Sequence, residues 1–164
     1  MISKDALCAS MTRECDIAIH LHGKLTPGAH DYRMSPTQRS TLETMRYLSY
    51  CGIGGIEAMA SGGWAKWPAR EAAGAQMTVE EFPAAMRRQK KEIEEFFASI
   101  SEETLATQPA KVPGGDAVSP LGTALIDGPL KWLLAYKMQL FLYVKASGAT
   151  EIGTSNAWGG RDSA

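Results

Sequence analysis

Apolar residues recur along this chain at helical spacing, and no alternating run is long enough to demand a sheet. Segment 130–148, Leu-Lys-Trp-Leu-Leu-Ala-Tyr-Lys-Met-Gln-Leu-Phe-Leu-Tyr-Val-Lys-Ala-Ser-Gly, is apolar around most of its circumference and closes on Gly148. At a helical step of about 100°, Lys131, Gln139 and Lys145 share one narrow strip and Lys137 is set apart. Most of the remaining surface therefore needs protein cover, as expected of a central helix in a bundle. The run stops short of the roughly 18 to 20 uninterrupted apolar residues that a membrane crossing requires. Its lysines argue against a membrane as well.

Other helices follow from the same periodicity. Ser3 is a candidate N-cap, and Leu7, Met11, Ala18, Leu21 and Leu25 keep a spacing of four and three, interrupted by Glu14. A first helix over 4–24, stopped by Thr26-Pro27-Gly28, is predicted. The loop 27–36 carries His30, Asp31, Tyr32 and Arg33, whose simplest role is to pin the flanking helices. Ser40 and Glu43 have capping-box spacing, and Leu42, Met45, Leu48, Gly52, Gly55 and Met59 supply the face of a second helix ended by Ser61-Gly62-Gly63. Gly52, Gly54 and Gly55 each cost about 1 kcal/mol relative to alanine inside a helix, so a close neighbour should use the missing side chains.

Segment 62–76 reads as irregular, with Trp64 and Trp67 covering an end of the core. A third helix is predicted from Thr78, with Glu81 as its capping partner and Val79, Phe82, Met86, Gln89, Ile93, Phe96 and Ile100 as its inner face. Gln89 is the polar member. Once buried it must meet a polar core group or line a cavity that holds water or ligand. Arg88 with Glu92, and Lys91 with Glu95, are spaced to pair on a solvated face. A short turn at 101–105 and a Gly/Pro-rich loop at 109–120, as hairpin or lid, lead to a last helix from Pro120 to Ala146, disturbed at Gly128-Pro129. The fold class is all-α: a four-helix bundle over 1–150 with long loops, then a short C-terminal extension, 151–164, packed through Trp158 and frayed over its last four residues.

Composition narrows function more than fold. With 164 residues, 45% of them hydrophobic, the chain can bury one sizeable core, and 21% charged residues with a net charge of −1 argue against a dedicated nucleic-acid binder. Cys8, Cys15 and Cys51 have no CxxC spacing and no secretory segment precedes them, so a reduced cytoplasmic setting with buried thiols is expected. His20 and His22 are two residues apart, about 200° around a helix, and cannot chelate one ion from it. His22 is the inward candidate, as a core histidine bonded to a tyrosine or carbonyl, or as a base in a pocket.

Tyr136-Lys137-Met138-Gln139-Leu140, followed by Tyr143 and Gly148, resembles the last-helix signature of the DinB-like (YfiT-like) family, where His-Arg-Gly-Gln-Leu leads to a Tyr, an Arg and a Gly. Asp31-Tyr32-Arg33, Ser35-Pro36 and Ser40-Thr41-Leu42-Glu43 resemble that family's loop and capped start of helix two. The resemblance implies a four-helix bundle with a divalent metal on three histidines, one in helix two and two in the last helix at i and i+4. Those positions fall on Tyr47, Trp132 and Tyr136 here. Phenol and indole do not replace neutral imidazole at a zinc or nickel site, so no metal ligand and no cofactor are expected.

Three readings follow. In the first, Tyr47, Trp132, Tyr136, Gln89 and His22 line an aromatic pocket that binds a small molecule. In the second, the aromatics fill the site and the bundle acts as a structural or interaction homodimer. The third keeps the family's metal-dependent thiol transfer or hydrolysis and lacks ligands. None calls for nucleic acid or a membrane.

Overall fold

A computed structural model describes residues 2–115 and 117–163. Its main elements are α1 (Lys4–His22), α2 (Thr41–Ser61), α3 (Trp67–Ala75), α4 (Phe82–Ser99), α5 (Glu102–Thr107), the strands β1 (Pro109–Ala110) and β2 (Ser119–Pro120), α6 (Leu121–Leu125) and α7 (Lys131–Ala146). Helices α1, α2, α4 and α7 form the bundle: α1 packs against α4 and α7, and α2 against the same two. Around them the architecture is all-α. Among the described residues the only sheet is the two-residue antiparallel hairpin of β1 and β2, which closes the predicted loop. No helix of the described chain is long and apolar enough to cross a membrane.

Local chemistry sets the helix starts. Ser3 Oγ accepts from the Ala6 N–H at 3.2 Å, and Ser101 Oγ from Thr104 at 3.0 Å. At α2 the capping box is complete: Ser40 Oγ accepts from Glu43 N–H at 3.2 Å while Glu43 Oε2 accepts from Ser40 N–H at 2.6 Å. The polar loop before it does pin the helices. Arg33 lies 3.3 Å from Glu43, the Tyr32 ring meets Tyr143 edge-on at 5.3 Å, and Thr41 N–H donates to the Tyr32 carbonyl at 2.8 Å.

Several sequence expectations need correction. Segment 62–76 is not irregular throughout, because 67–75 folds as α3; its burial rests on Trp67 and Gly74 rather than on a repeating apolar face. Helix α4 begins at Phe82, not Thr78: Thr78 N–H does reach Glu81 Oε2 at 2.8 Å, but a turn separates them from the helix, and Pro83 stands in its first turn. Phe97, not Phe96, completes the buried face of α4, and Glu92 pairs with Arg70 of α3 at 2.7 Å instead of with Arg88. Trp158 is 48% exposed, yet its ring lies 4.4 Å from the Lys137 ammonium and its carbonyl accepts from Arg13, so the tail is attached there. Its fellow tail residues Ile152, Asn156 and Ala157 are the buried ones, and Asp162, expected to fray, pairs with Lys24 at 2.6 Å; Ala164 lies outside the described residues.

The interruption of the first helix's apolar face at Glu14 has a partner. Lys137, fully buried on α7, places Nζ 3.1 Å from Glu14 Oε2 and donates to the Ala157 carbonyl at 2.7 Å. Two opposite charges thus enter the core together, which avoids the penalty of either alone. Between Leu125 and Lys131 the last helix runs through a π turn, Ile126–Leu130, that absorbs Gly128 and Pro129.

Each glycine in the middle of α2 makes room for a different neighbour. A Cβ at Gly52 would stand 2.9 Å from Leu133 and 3.1 Å from the Gln89 amide; at Gly54, 3.1 Å from Trp67; at Gly55, 2.6 Å from the Trp132 ring and 2.9 Å from Pro129. Both neighbours of Gly55 are rigid, so Gly55→Ala should lose about 1–3 kcal/mol to overpacking, more than the roughly 1 kcal/mol gained in helix propensity. Urea unfolding should show a net loss for Gly55→Ala and little change for Gly63→Ala, where a Cβ meets nothing within 4 Å.

Candidate functional site

Helices α2 and α7 bring Tyr47 and Tyr136 together, with ring centroids 4.5 Å apart and planes tilted by 53°. This is ring-to-ring contact, and the rings themselves fill the space between them. From Tyr47 an aromatic seam continues to Trp67 at 6.1 Å, then to Trp64 at 5.0 Å and to Trp132 at 6.3 Å. Tyr50 joins from the side, 5.2 Å from Trp67. All these pairs are tilted or edge-on, the arrangement favoured by ring quadrupoles. Trp132 is seated on Gly55, so the glycine of one helix sets the ring position on another.

Arg39, one residue before the N-cap of α2, closes the other end of the seam. Its guanidinium lies 4.5 Å from the Tyr47 ring centroid and 5.3 Å from that of Tyr136, and Nη1 donates to the Tyr136 hydroxyl at 3.2 Å. Beside it is a shallow cleft of about 200 Å³ lined by Arg39, Glu43, Arg46, Tyr47, Tyr50, Glu71 and Ala75. Burial, reinforced by Cys51 and the neighbouring phenols, pushes the Tyr47 hydroxyl far above the usual phenol range, and burial takes Tyr50 up to about 12. Both are neutral phenols near neutral pH.

The remaining expected site residues lie elsewhere. Gln89 Oε1 accepts from the N–H groups of Gly52 at 2.9 Å and Ile53 at 3.2 Å, and its Nε2 donates to the Leu48 carbonyl at 2.8 Å. Its amide is therefore bonded to the backbone of α2, although its side chain also borders a cavity of about 300 Å³ with Tyr50, Arg70 and Arg88. His22 donates from Nε2 to the Val79 carbonyl at 2.8 Å and packs on Phe82 at 5.7 Å. It ties α1 to the turn before α4. Three of the five sequence candidates, Tyr47, Trp132 and Tyr136, thus share the seam; Gln89 and His22 do not join it. Arg39 was missed because an isolated arginine in a loop carries no periodic signal.

A divalent metal does not fit this seam. The Tyr47 and Tyr136 phenols face one another there and Trp132 is reached only through Trp67, Tyr47 is held against ionisation, and a guanidinium already sits over the phenol rings. Among the described residues no three His, Cys, Asp or Glu side chains are grouped to hold an ion. The cysteines are free thiols, and burial takes Cys15 up to about 12 and Cys51 higher still, so neither is a ready nucleophile.

Helix α3 is clamped over the seam by ions. Arg70 donates to both Glu57 oxygens, from Nε at 2.6 Å and from Nη2 at 3.1 Å, and Lys66 adds a bond at 3.1 Å. Burial alone would raise the Glu57 carboxyl, but the hydrogen bonds from Arg70 and Lys66 overcome it and hold the group below its ordinary range. A depressed folded value means that the clamp is complete above the unfolded carboxyl's value of about 4.3 and is lost as pH falls through the folded value. Tryptophan fluorescence on acidification should therefore report loosening of Trp64 and Trp67. Glu57→Gln should flatten that acid limb.

Compared with known proteins, the chain matches no family model and no curated protein sequence. Its fold is similar to that of a DinB-like protein (YjoA) of Bacillus subtilis, known from a crystal structure: TM-score 0.67, 14% sequence identity, covering 90% of this chain and 96% of that one. The chain has a DinB-like fold. Tyr47→Ala, which empties one side of the ring pair, should cost about 2–3 kcal/mol, somewhat less than a fully buried aromatic because Tyr47 is partly exposed. Denaturant titration checks this.

Proposed function

We propose that this DinB-like bundle acts as a structural or interaction module whose ring-filled seam stabilises the fold and whose outer α7 face pairs with a second copy of the chain. The observation that carries the reading is an apolar stripe without cover. Leu134 and Leu142 are exposed, Met138 lies half-buried between them, and i, i+4, i+8 spacing aligns the three on one side of α7. Nearby charge is turned aside: Lys131 bonds to Asp127 at 2.5 Å and Lys145 to the Ile152 carbonyl at 2.6 Å. A twofold axis across such a face sets like against like and needs no other partner. Sedimentation of the untagged protein at high micromolar concentration should give a dimer, and Leu142→Asp a folded monomer. A wild-type monomer at that concentration overturns the proposal.

A second reading is favoured by Arg39. Of its five N–H donors one reaches Tyr136, and the guanidinium borders the cleft beside Tyr47 and Tyr50. That edge suits a small molecule with an acidic group bonded to Arg39 and a donor facing Glu43 and Glu71, which line the same cleft. Thermal shift against small carboxylates that also carry a donor should then show stabilisation in wild type and none in Arg39→Ala. Equal shifts in both proteins, or none in either, remove this reading.

A further inference from the structure

The C-terminal segment is attached mainly by cations reaching its main-chain oxygens. Gly148, at φ 136°, turns the chain out of α7, and the segment then returns across α7 and α1. Lys145 donates to the carbonyl of Ile152 at 2.6 Å, Lys137 to that of Ala157 at 2.7 Å, and Arg13 to that of Trp158 at 3.2 Å. Further on, the Asn156 amide donates to His20 Nε2 at 3.0 Å and to Asp162 Oδ1 at 3.0 Å, while Lys24 holds Asp162 at 2.6 Å. Few apolar side chains contribute. Ile152 and Ala157 are buried, Gly160 rests on Ile17, and Trp158 lies half-exposed with its ring 4.4 Å from the Lys137 ammonium.

Beneath this segment is the Lys137–Glu14 pair. Lys137 has no exposed surface, and its ammonium has three neighbours: the Glu14 carboxylate, the Ala157 carbonyl and the Trp158 ring. Two of the three belong to the segment. The site is therefore complete only when the segment is docked, and undocking would leave a cation and a carboxylate facing water, where both are well solvated. Segments with little apolar burial and solvent-facing polar bonds open at lower free energy than the core. The outermost bond, Lys24 with Asp162, is exposed and screened by salt.

We propose that residues 152–162 form a hinged strap, latched by Asp162 and Asn156, that opens about Gly148 with the bundle intact and thereby uncovers the Lys137 ammonium. Sealed and open forms differ in whether that amine can react. Substoichiometric acylation of the untagged full chain with an N-hydroxysuccinimide ester, read lysine by lysine by peptide mass spectrometry, measures this directly. In wild type, Lys137 should react at least about tenfold more slowly than Lys91, whose side chain is 76% exposed. Its rate should change little over urea concentrations that leave the bundle folded. Asp162→Ala, a change at an exposed side chain that does not touch the amine, should accelerate Lys137 severalfold and leave Lys131 unchanged, with helix content preserved by circular dichroism. Any one of three results overturns the strap: Lys137 reacting as fast as Lys91, a Lys137 rate with the full urea dependence of global unfolding, or no acceleration in Asp162→Ala.

Discussion

Bare backbone in the middle of α2 is the constraint on which the rest of the molecule depends. Where Gly52, Gly54 and Gly55 omit their side chains, Leu133 of α7, the Gln89 amide of α4, Trp67 of α3 and Trp132 of α7 come within contact of the helix. Three helices are thus positioned by one short stretch. The Gln89 amide bonds to the α2 backbone at Leu48, Gly52 and Ile53, so the contact is both steric and polar. Helix propensity is sacrificed there for packing, and the loss is offset by large rings brought close.

From that stretch the aromatic seam follows. Trp132 lies on Gly55 and Trp67 on Gly54, which brings both toward Trp64, and Tyr47 and Tyr136 continue the line to Arg39. At the positions where the resemblance would place imidazole ligands, Tyr47 and Tyr136 are in ring contact and Trp132 joins them through Trp67. Such a site resists compression and has no room for an ion between its phenols. The same bundle carries a deep charge pair, Lys137 with Glu14, on the α1–α7 side, where the C-terminal segment completes the cover.

Helix α7 joins these two regions. It supplies Trp132 and Tyr136 to the seam, Leu133 to the α2 contact and Lys137 to the buried pair, while Leu134 and Leu142 remain outside. That accounts for a helix apolar on nearly every side. The face toward α2 and α1 is covered within the chain, and the outer one is exposed.

Periodicity and capping made much of this legible in the sequence alone: the all-α class, the spans of α1, α2 and the last helix, the complete cap at Ser40 and the break at Gly128-Pro129. These are properties of neighbours within a turn or two, and local chemistry suffices to determine them. Proximity in sequence could not reveal that Glu14 meets Lys137, that Glu92 leaves Arg88 for Arg70, that α3 is helical because Trp67 and Gly74 find α2, or that Arg39 covers two tyrosines. Each joins residues distant along the chain, and its energy exists only after the helices have packed. The bundle was written in spacing; its charges and rings received their partners from the tertiary fold.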